Sequence, residues 1–151
     1  MSEPLFSRME KQFFARIKDL DFPFTNSKVK ISETLLSREE IKEIWYSQIL
    51  SRNIDLFARD LKERGKCFYT ISSAGHESNA AFGKVLERKD YCFLHYRSGG
   101  FIAQRYALFP HIDGSKELLL SILSSRKDSS SGGRHKVFGH PEMNTPPQTS
   151  T

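Results

Sequence analysis

Apolar residues recur at helical spacing from the start of the chain. Leu5, Phe6, Met9, Phe13, Ile17 and Leu20 stand three or four apart, with Lys and Arg between them. That period predicts an amphipathic helix over 5–20, packed on its own domain or on a partner subunit. Acids interrupt its polar face, which ranks a membrane-surface role lower. Asp21-Phe22-Pro23-Phe24 and the polar run after it end the helix in a loop.

Ser37-Arg38-Glu39-Glu40 is a capping box, in which the serine takes the Glu40 N–H and the glutamate reaches back. A long helix is predicted from there to about Arg64, stopped by Gly65. It shows two apolar stripes, Ile41, Ile44, Trp45, Ile49 and Leu56 on one side, Leu50, Ile54, Phe57 and Leu61 on the other. A helix apolar on two sides is expected to be sandwiched in a core or an interface. Arg52, within the first stripe, then needs an ion-pair partner or a route to water.

Cys67 to Ile71 suits a short strand. A small-residue helix is expected over 75–87, where His76 reads more readily as a cap or surface residue than as a ligand. Tyr91–Tyr96 (YCFLHY) is almost wholly apolar or aromatic, as a fully buried strand would be. It runs into Arg97, Ser98, Gly99 and Gly100, then a helix to about Phe109, closed by Pro110. Asp113-Gly114-Ser115 opens another helix with Leu118, Leu119, Ile122 and Leu123 on one face. From Arg126 onward Ser, Gly, Pro and Thr dominate, which reads as a disordered tail or a long loop. The cluster Arg134-His135-Lys136 there is a solvated basic loop or an anion site, with equal weight.

Chemistry concentrates at the strand-to-helix junction. Helix-start N–H groups carry partial positive charge, and glycines let a ligand approach the backbone. Arg97 adds a guanidinium able to grip two phosphate oxygens. The net charge of +5 permits an acidic partner, although acids and bases alternate until about residue 126. Cys67 and Cys92 form neither a disulfide framework nor a CxxC pair, so a reducing, cytoplasmic setting is the simplest reading. No apolar run reaches the ~20 residues of a membrane span. P-loop, GxGxxG, HExxH and zinc spacings are all missing from the sequence.

Over 36–151 the chain resembles the alpha subunit of thiamine-diphosphate-dependent 2-oxo-acid dehydrogenases, the decarboxylating first component, and most of all its branched-chain type. The likeness rests on an ordered set: LSREEIKEIWYSQILSRNID in the long helix, Gly65-Lys66, Gly75-His76-Glu77, Asp90, Tyr96-Arg97-Ser98-Gly99, Gly132-Gly133-Arg134 and PPQTST. The resemblance implies an α/β thiamine-diphosphate-binding fold, helix-rich with short parallel strands. It divides the chain into an N-terminal helix and loop (1–36), part of the coenzyme domain (37–125) and an active-site loop (126–151). It implies that Tyr96, Arg97 and Gln148 bind thiamine diphosphate, that Ser72 and Ser73 lie near substrate, and that His140 is the catalytic loop histidine. Thr145, Ser150 and Thr151 would lie near a structural monovalent cation such as K⁺. A beta subunit, separate or fused, and a lipoyl acyltransferase would be the partners, within a larger oligomer.

The family's Gly-Asp-Gly motif with its distant Asn, which holds Mg²⁺ and diphosphate, has no counterpart, since Asp113-Gly114-Ser115 does not match it. The expectation is therefore an N-terminal portion of a longer polypeptide, inactive alone, with Tyr91–Tyr96 left as an open edge. A nucleic-acid-binding module and a non-catalytic assembly protein are the readings from other classes.

Overall fold

The computed structural model describes residues 5–21, 29–68, 72–135 and 137–146. The chain forms two compact units, Met1–Leu36 and Ser37–Thr151. In the first, helix α1 spans Leu5–Asp19, and a 3-10 turn covers Ile31–Glu33. α1 ends as a left-handed cap. Leu20 has φ +54°, and the Asp21 N–H reaches back to the Arg16 carbonyl at 3.0 Å.

The second unit opens with α2, Arg38–Glu63. The capping box forms as the sequence predicts. The Glu40 N–H donates to Ser37 Oγ at 3.2 Å, and the Ser37 N–H to the Glu40 carboxylate at 2.8 Å. These bonds, with Lys84 behind them, hold the Glu40 carboxyl below its usual range. At the other end Gly65 takes φ +68°, which costs a glycine little and stops the helix. A 3-10 turn at Glu77–Asn79 runs directly into α3, Ala80–Val85. α4 is Gly99–Tyr106 and α5 is Gly114–Ile122, the latter capped by Asp113 accepting the Lys116 N–H. A last 3-10 turn covers Pro141–Met143. No helix among the described residues is long and apolar enough to cross a membrane.

All eight residues of α4 are buried, which makes it the centre of this unit. Phe101, Ile102 and Tyr106 join Cys92, Leu94, Phe109, Leu118, Phe138 and Met143 in the main core. Of the two apolar stripes of α2, the second contributes Ile54 and Leu61, half-buried against the core. The buried line of α2 is Ser47, Ser51, Asp55 and Ala58, small or polar residues at helical spacing. Small side chains let two backbones approach. A methyl group on Gly99 would stand 2.6 Å from Ser51 Oγ and 2.5 Å from Ser73 Oγ. Trp45, Tyr46, Ile49 and Phe57 stay exposed, so the expected sandwiching of α2 is not completed within the described chain.

The chain is helix-rich, and no paired strand occurs among the described residues. His140 and Thr145 form an isolated antiparallel bridge. Tyr91–Tyr96 forms no paired strand, ends in a turn at Tyr96, and is half-buried rather than fully buried. Cys92 and Leu94 point inward, while Tyr91, Phe93 and His95 are exposed. Of the strand expected at Cys67–Ile71, residues 69–71 lie outside the described residues.

Of the two readings of the Ser/Gly/Pro-rich stretch, its described part matches the long loop rather than the disordered tail. Val137, Phe138 and Met143 are buried, and Asp128 is buried as the acceptor of a serine turn. It takes the N–H and hydroxyl of Ser131 at 3.0 and 2.6 Å. Local side-chain bonds satisfy the polar backbone, so a few well-placed apolar residues suffice to order the segment.

Candidate functional site

Four of the residues singled out from the sequence converge on one place. Asp55, on α2, is the anchor. Its Oδ2 accepts the Ser72 hydroxyl at 2.8 Å and the Ser73 N–H at 2.7 Å. Ser73 Oγ in turn accepts the Gly99 N–H at the start of α4, at 3.1 Å. Arg97 Nη1 donates to the Ser72 carbonyl at 2.7 Å. Its guanidinium carbon lies 5.4 Å from the centre of the Tyr96 ring, a cation–π contact.

One guanidinium corner is thus held by protein. Nη2 and Nε have no hydrogen-bond partner among the described residues, and Arg97 is partly exposed. Those two parallel N–H groups form the fork that grips an oxyanion. The helix end contributes less than the sequence suggests, because its Gly99 N–H is already taken by Ser73. The anion donor is the arginine, oriented by a serine carbonyl and a tyrosine face.

The charges around this place are mutually satisfied. Arg52 pairs with Glu77 at 2.5 Å, the ion pair its position in α2 calls for. Lys84 lies 2.7 Å from Glu43 and 3.4 Å from Glu40. The Glu43 hydrogen bond holds the Lys84 ammonium above its usual range, against the pull of burial.

His140 and Thr145 come together in a second place. The His140 N–H donates to Thr145 Oγ1 at 2.9 Å, and His140 Nδ1 accepts the Glu142 N–H at 3.2 Å. A neutral ring then carries its proton on Nε2. Tyr91, Ser130, Asn144 and Pro146 complete the lining of a cavity of about 330 Å³. The segment 91–97 joins the two places, Tyr91 at the second and Arg97 at the first. Six extended residues reach at most roughly 20 Å.

Gln148, Ser150 and Thr151 lie outside the described residues, as does Lys136 of the basic cluster; Arg134 and His135 are exposed. The Thr145 hydroxyl is engaged by the His140 backbone on both sides, which occupies the oxygen expected near a cation. Among the described residues no group of three or more His, Cys, Asp or Glu is placed to hold a metal ion.

Two residues with central roles carried no site signal in the sequence. Asp55 reads as one more polar helix position. Arg105 reads as a surface arginine, yet it is fully buried. Its guanidinium donates to the carbonyls of Glu87 at 2.7 Å, Arg88 at 3.1 Å, Asp90 at 2.8 Å and Met143 at 3.3 Å. It thereby ties α4 to the segment before Tyr91 and to the turn that carries His140. Its helical spacing from Phe101 and Ile102 is the hint the sequence holds.

No family model matches the chain, and neither a curated protein nor a solved structure matches it.

Proposed function

We propose that the chain carries the diphosphate-holding N-terminal segment of a thiamine-diphosphate-dependent 2-oxo-acid dehydrogenase alpha subunit. One observation carries this reading: Ser72, Ser73 and Arg97 share one hydrogen-bonded cluster on Asp55, beside the Tyr96 ring, with a two-pronged guanidinium edge left over among the described residues. The α/β architecture with short parallel strands belongs to the same reading. So does a beta subunit, for which the exposed Trp45, Tyr46, Ile49 and Phe57 of α2 offer an apolar surface.

The residues present fit a diphosphate. For Mg²⁺, no group of three or more His, Cys, Asp or Glu is gathered among the described residues, and the family's Gly-Asp-Gly motif has no counterpart in the sequence. When bound, the coenzyme supplies the carbanion-stabilising chemistry of 2-oxo-acid decarboxylation and acyl transfer to lipoyl. This chain's part is to orient it. Arg97 neutralises charge on the diphosphate, and Asp55 keeps Ser72 and Ser73 in the geometry that aims Arg97.

The test is a titration of the 151-residue chain with inorganic pyrophosphate, followed by NMR of the arginine Nε–H groups and backbone amides. Shifts confined to Ser72, Ser73, Tyr96 and Arg97, and lost in Arg97→Ala, support the reading. Shifts scattered over the basic residues, or indifferent to Arg97→Ala, overturn it. Micromolar binding of thiamine diphosphate with Mg²⁺ by the chain alone would contradict the missing metal motif.

A further inference from the structure

His95 lies two residues before Arg97 and bonds to the turn that presents it. Its Nδ1 accepts the Arg97 backbone N–H at 3.3 Å, and its carbonyl accepts the Ser98 N–H at 2.9 Å. Its ring rests on Tyr96, with centroids 3.8 Å apart and planes inclined by 36°. The Arg97 guanidinium contacts that same Tyr96 ring. Imidazole, phenol and guanidinium of three successive residues thus form one group. The Ser72 carbonyl holds the tip of Arg97, and His95 holds its main chain.

An imidazole accepts at Nδ1 only while that nitrogen carries no proton. Protonation turns the acceptor into a donor, so two N–H groups then face each other and the bond is lost. Histidine is the side chain whose charge ordinarily changes between about pH 5 and 8. His95 is exposed, so protons reach it from solvent. Among the described residues, Tyr96 and Arg97 are the titratable or charged residues in polar or ring contact with it. The carboxylates of neighbouring elements are engaged elsewhere, Asp55 by Ser72 and Ser73, and Glu77 by Arg52 and the Gly75 N–H. Two effects of protonation oppose each other. The added charge by itself favours an anion at Arg97, but it stands in water, where salt screens it. The lost bond acts on the main chain of the arginine itself and is not screened, so geometry outweighs charge.

We infer that neutral His95 is a positioning residue for Arg97, and that anion binding at Arg97 weakens as His95 takes up a proton. Plain electrostatics gives the opposite sign, since a more positive chain attracts an anion more strongly. The inference rests on the reading of Arg97 as an anion-binding group and adds a pH response to that same site.

The test uses the 151-residue chain, NMR of the Arg97 amide and guanidinium, and inorganic sulfate, which stays doubly charged throughout. Between about pH 8 and about pH 5, sulfate affinity is expected to fall about fivefold, the worth of one hydrogen bond. Without sulfate, the Arg97 backbone amide is expected to titrate together with the His95 ring. His95→Asn puts an acceptor oxygen in place of Nδ1, as in an Asx turn, with no charge to gain. It is expected to hold the parent's alkaline affinity at both ends of the range. His95→Ala is expected to bind at both ends as weakly as the parent does in acid. A parent affinity that holds or rises on acidification overturns the inference. So does an asparagine variant that keeps the parent's pH dependence, or an alanine variant that binds as the parent does in alkali. Absence of any sulfate shift at Arg97 overturns the anion reading and this inference with it. An Arg97 amide that still follows the ring tells that failure from a failure of the His95 contact.

Discussion

Replacing Arg105 by methionine is expected to loosen the joint between α4, the Glu87–Asp90 turn and the Pro141–Asn144 turn. The guanidinium makes four bonds to main-chain carbonyls and is fully buried. Methionine fills most of the space but donates nothing. The carbonyls of Glu87, Arg88 and Asp90 belong to residues that water can reach, so each loses roughly 1 kcal/mol. The Met143 carbonyl belongs to a residue with no exposed surface, and leaving it dry costs about 1–3 kcal/mol more. Relief from burying a charge offsets part of this, for a net loss of about 4 kcal/mol. In urea denaturation, at a slope of about 2 kcal/mol/M, the midpoint falls by roughly 2 M. Arg105→Lys keeps the charge but not the fork, and is expected to fall between the two. Exchange of the Cys92 amide, bonded to Asn144 across the same joint, is expected to speed up in parallel. A methionine variant within about 1 kcal/mol of the parent, with Cys92 still protected, would refute the idea that Arg105 holds these turns together.

Gly83→Ala sets packing against propensity. Alanine in a helix is worth about 1 kcal/mol over glycine, but here its Cβ would stand 2.6 Å from the Phe101 carbonyl oxygen on α4. A backbone atom cannot swing aside, so a net loss of about 1–2 kcal/mol in thermal or chemical melting is expected, and a gain would show that α3 and α4 are not in close contact. Tyr106→Phe probes pH. Burial first, then the charges of Glu117 and Asp128, push the Tyr106 phenol well above its usual range. The unfolded chain therefore loses this proton first, and stability falls as pH rises above about 10, by up to about 1.4 kcal/mol per pH unit. The phenylalanine variant is expected to lose less stability than the parent between pH 10 and 12, and identical slopes would refute the assignment.

Local grammar was legible in the sequence wherever the interacting groups are neighbours along the chain. The Ser37–Glu40 box, the Gly65 stop and the Asp113 cap all formed as read, since each closes within a single turn. Arg97 beside Tyr96 was legible for the same reason. The inner face of α2 was legible only in part. Apolarity pointed to two stripes, of which Ile54 and Leu61 do pack on the core while Trp45, Ile49 and Phe57 stay exposed, and the close approach of α4 selects Ser47 and Ser51. Hydrophobic periodicity reports which side avoids water, and cannot report that another backbone needs room. The stretch from Arg126 was read as a disordered tail or a long loop because its composition is polar, and its described part is a loop whose serines bond to Asp128, Glu117 and main-chain carbonyls.

The amino-acid sequence by itself determined both ends of the long helix α2 and that an arginine ends an apolar run, but the helix expected over 75–87 shrinks to a 3-10 turn and Ala80–Val85, and the one expected to reach Phe109 ends at Tyr106. Only the tertiary structure decided what that arginine faces. Ser72 lies 17 residues from Asp55 and 25 from Arg97, Gln104 lies 57 from Ser47, and Arg105 lies 38 from Met143. A polar side chain whose partner is that remote looks like surface until the path of the chain brings the two together. The same applies to Tyr91–Tyr96. Its apolar run is written in the sequence, but which of its side chains face the core was decided by what lies beside it.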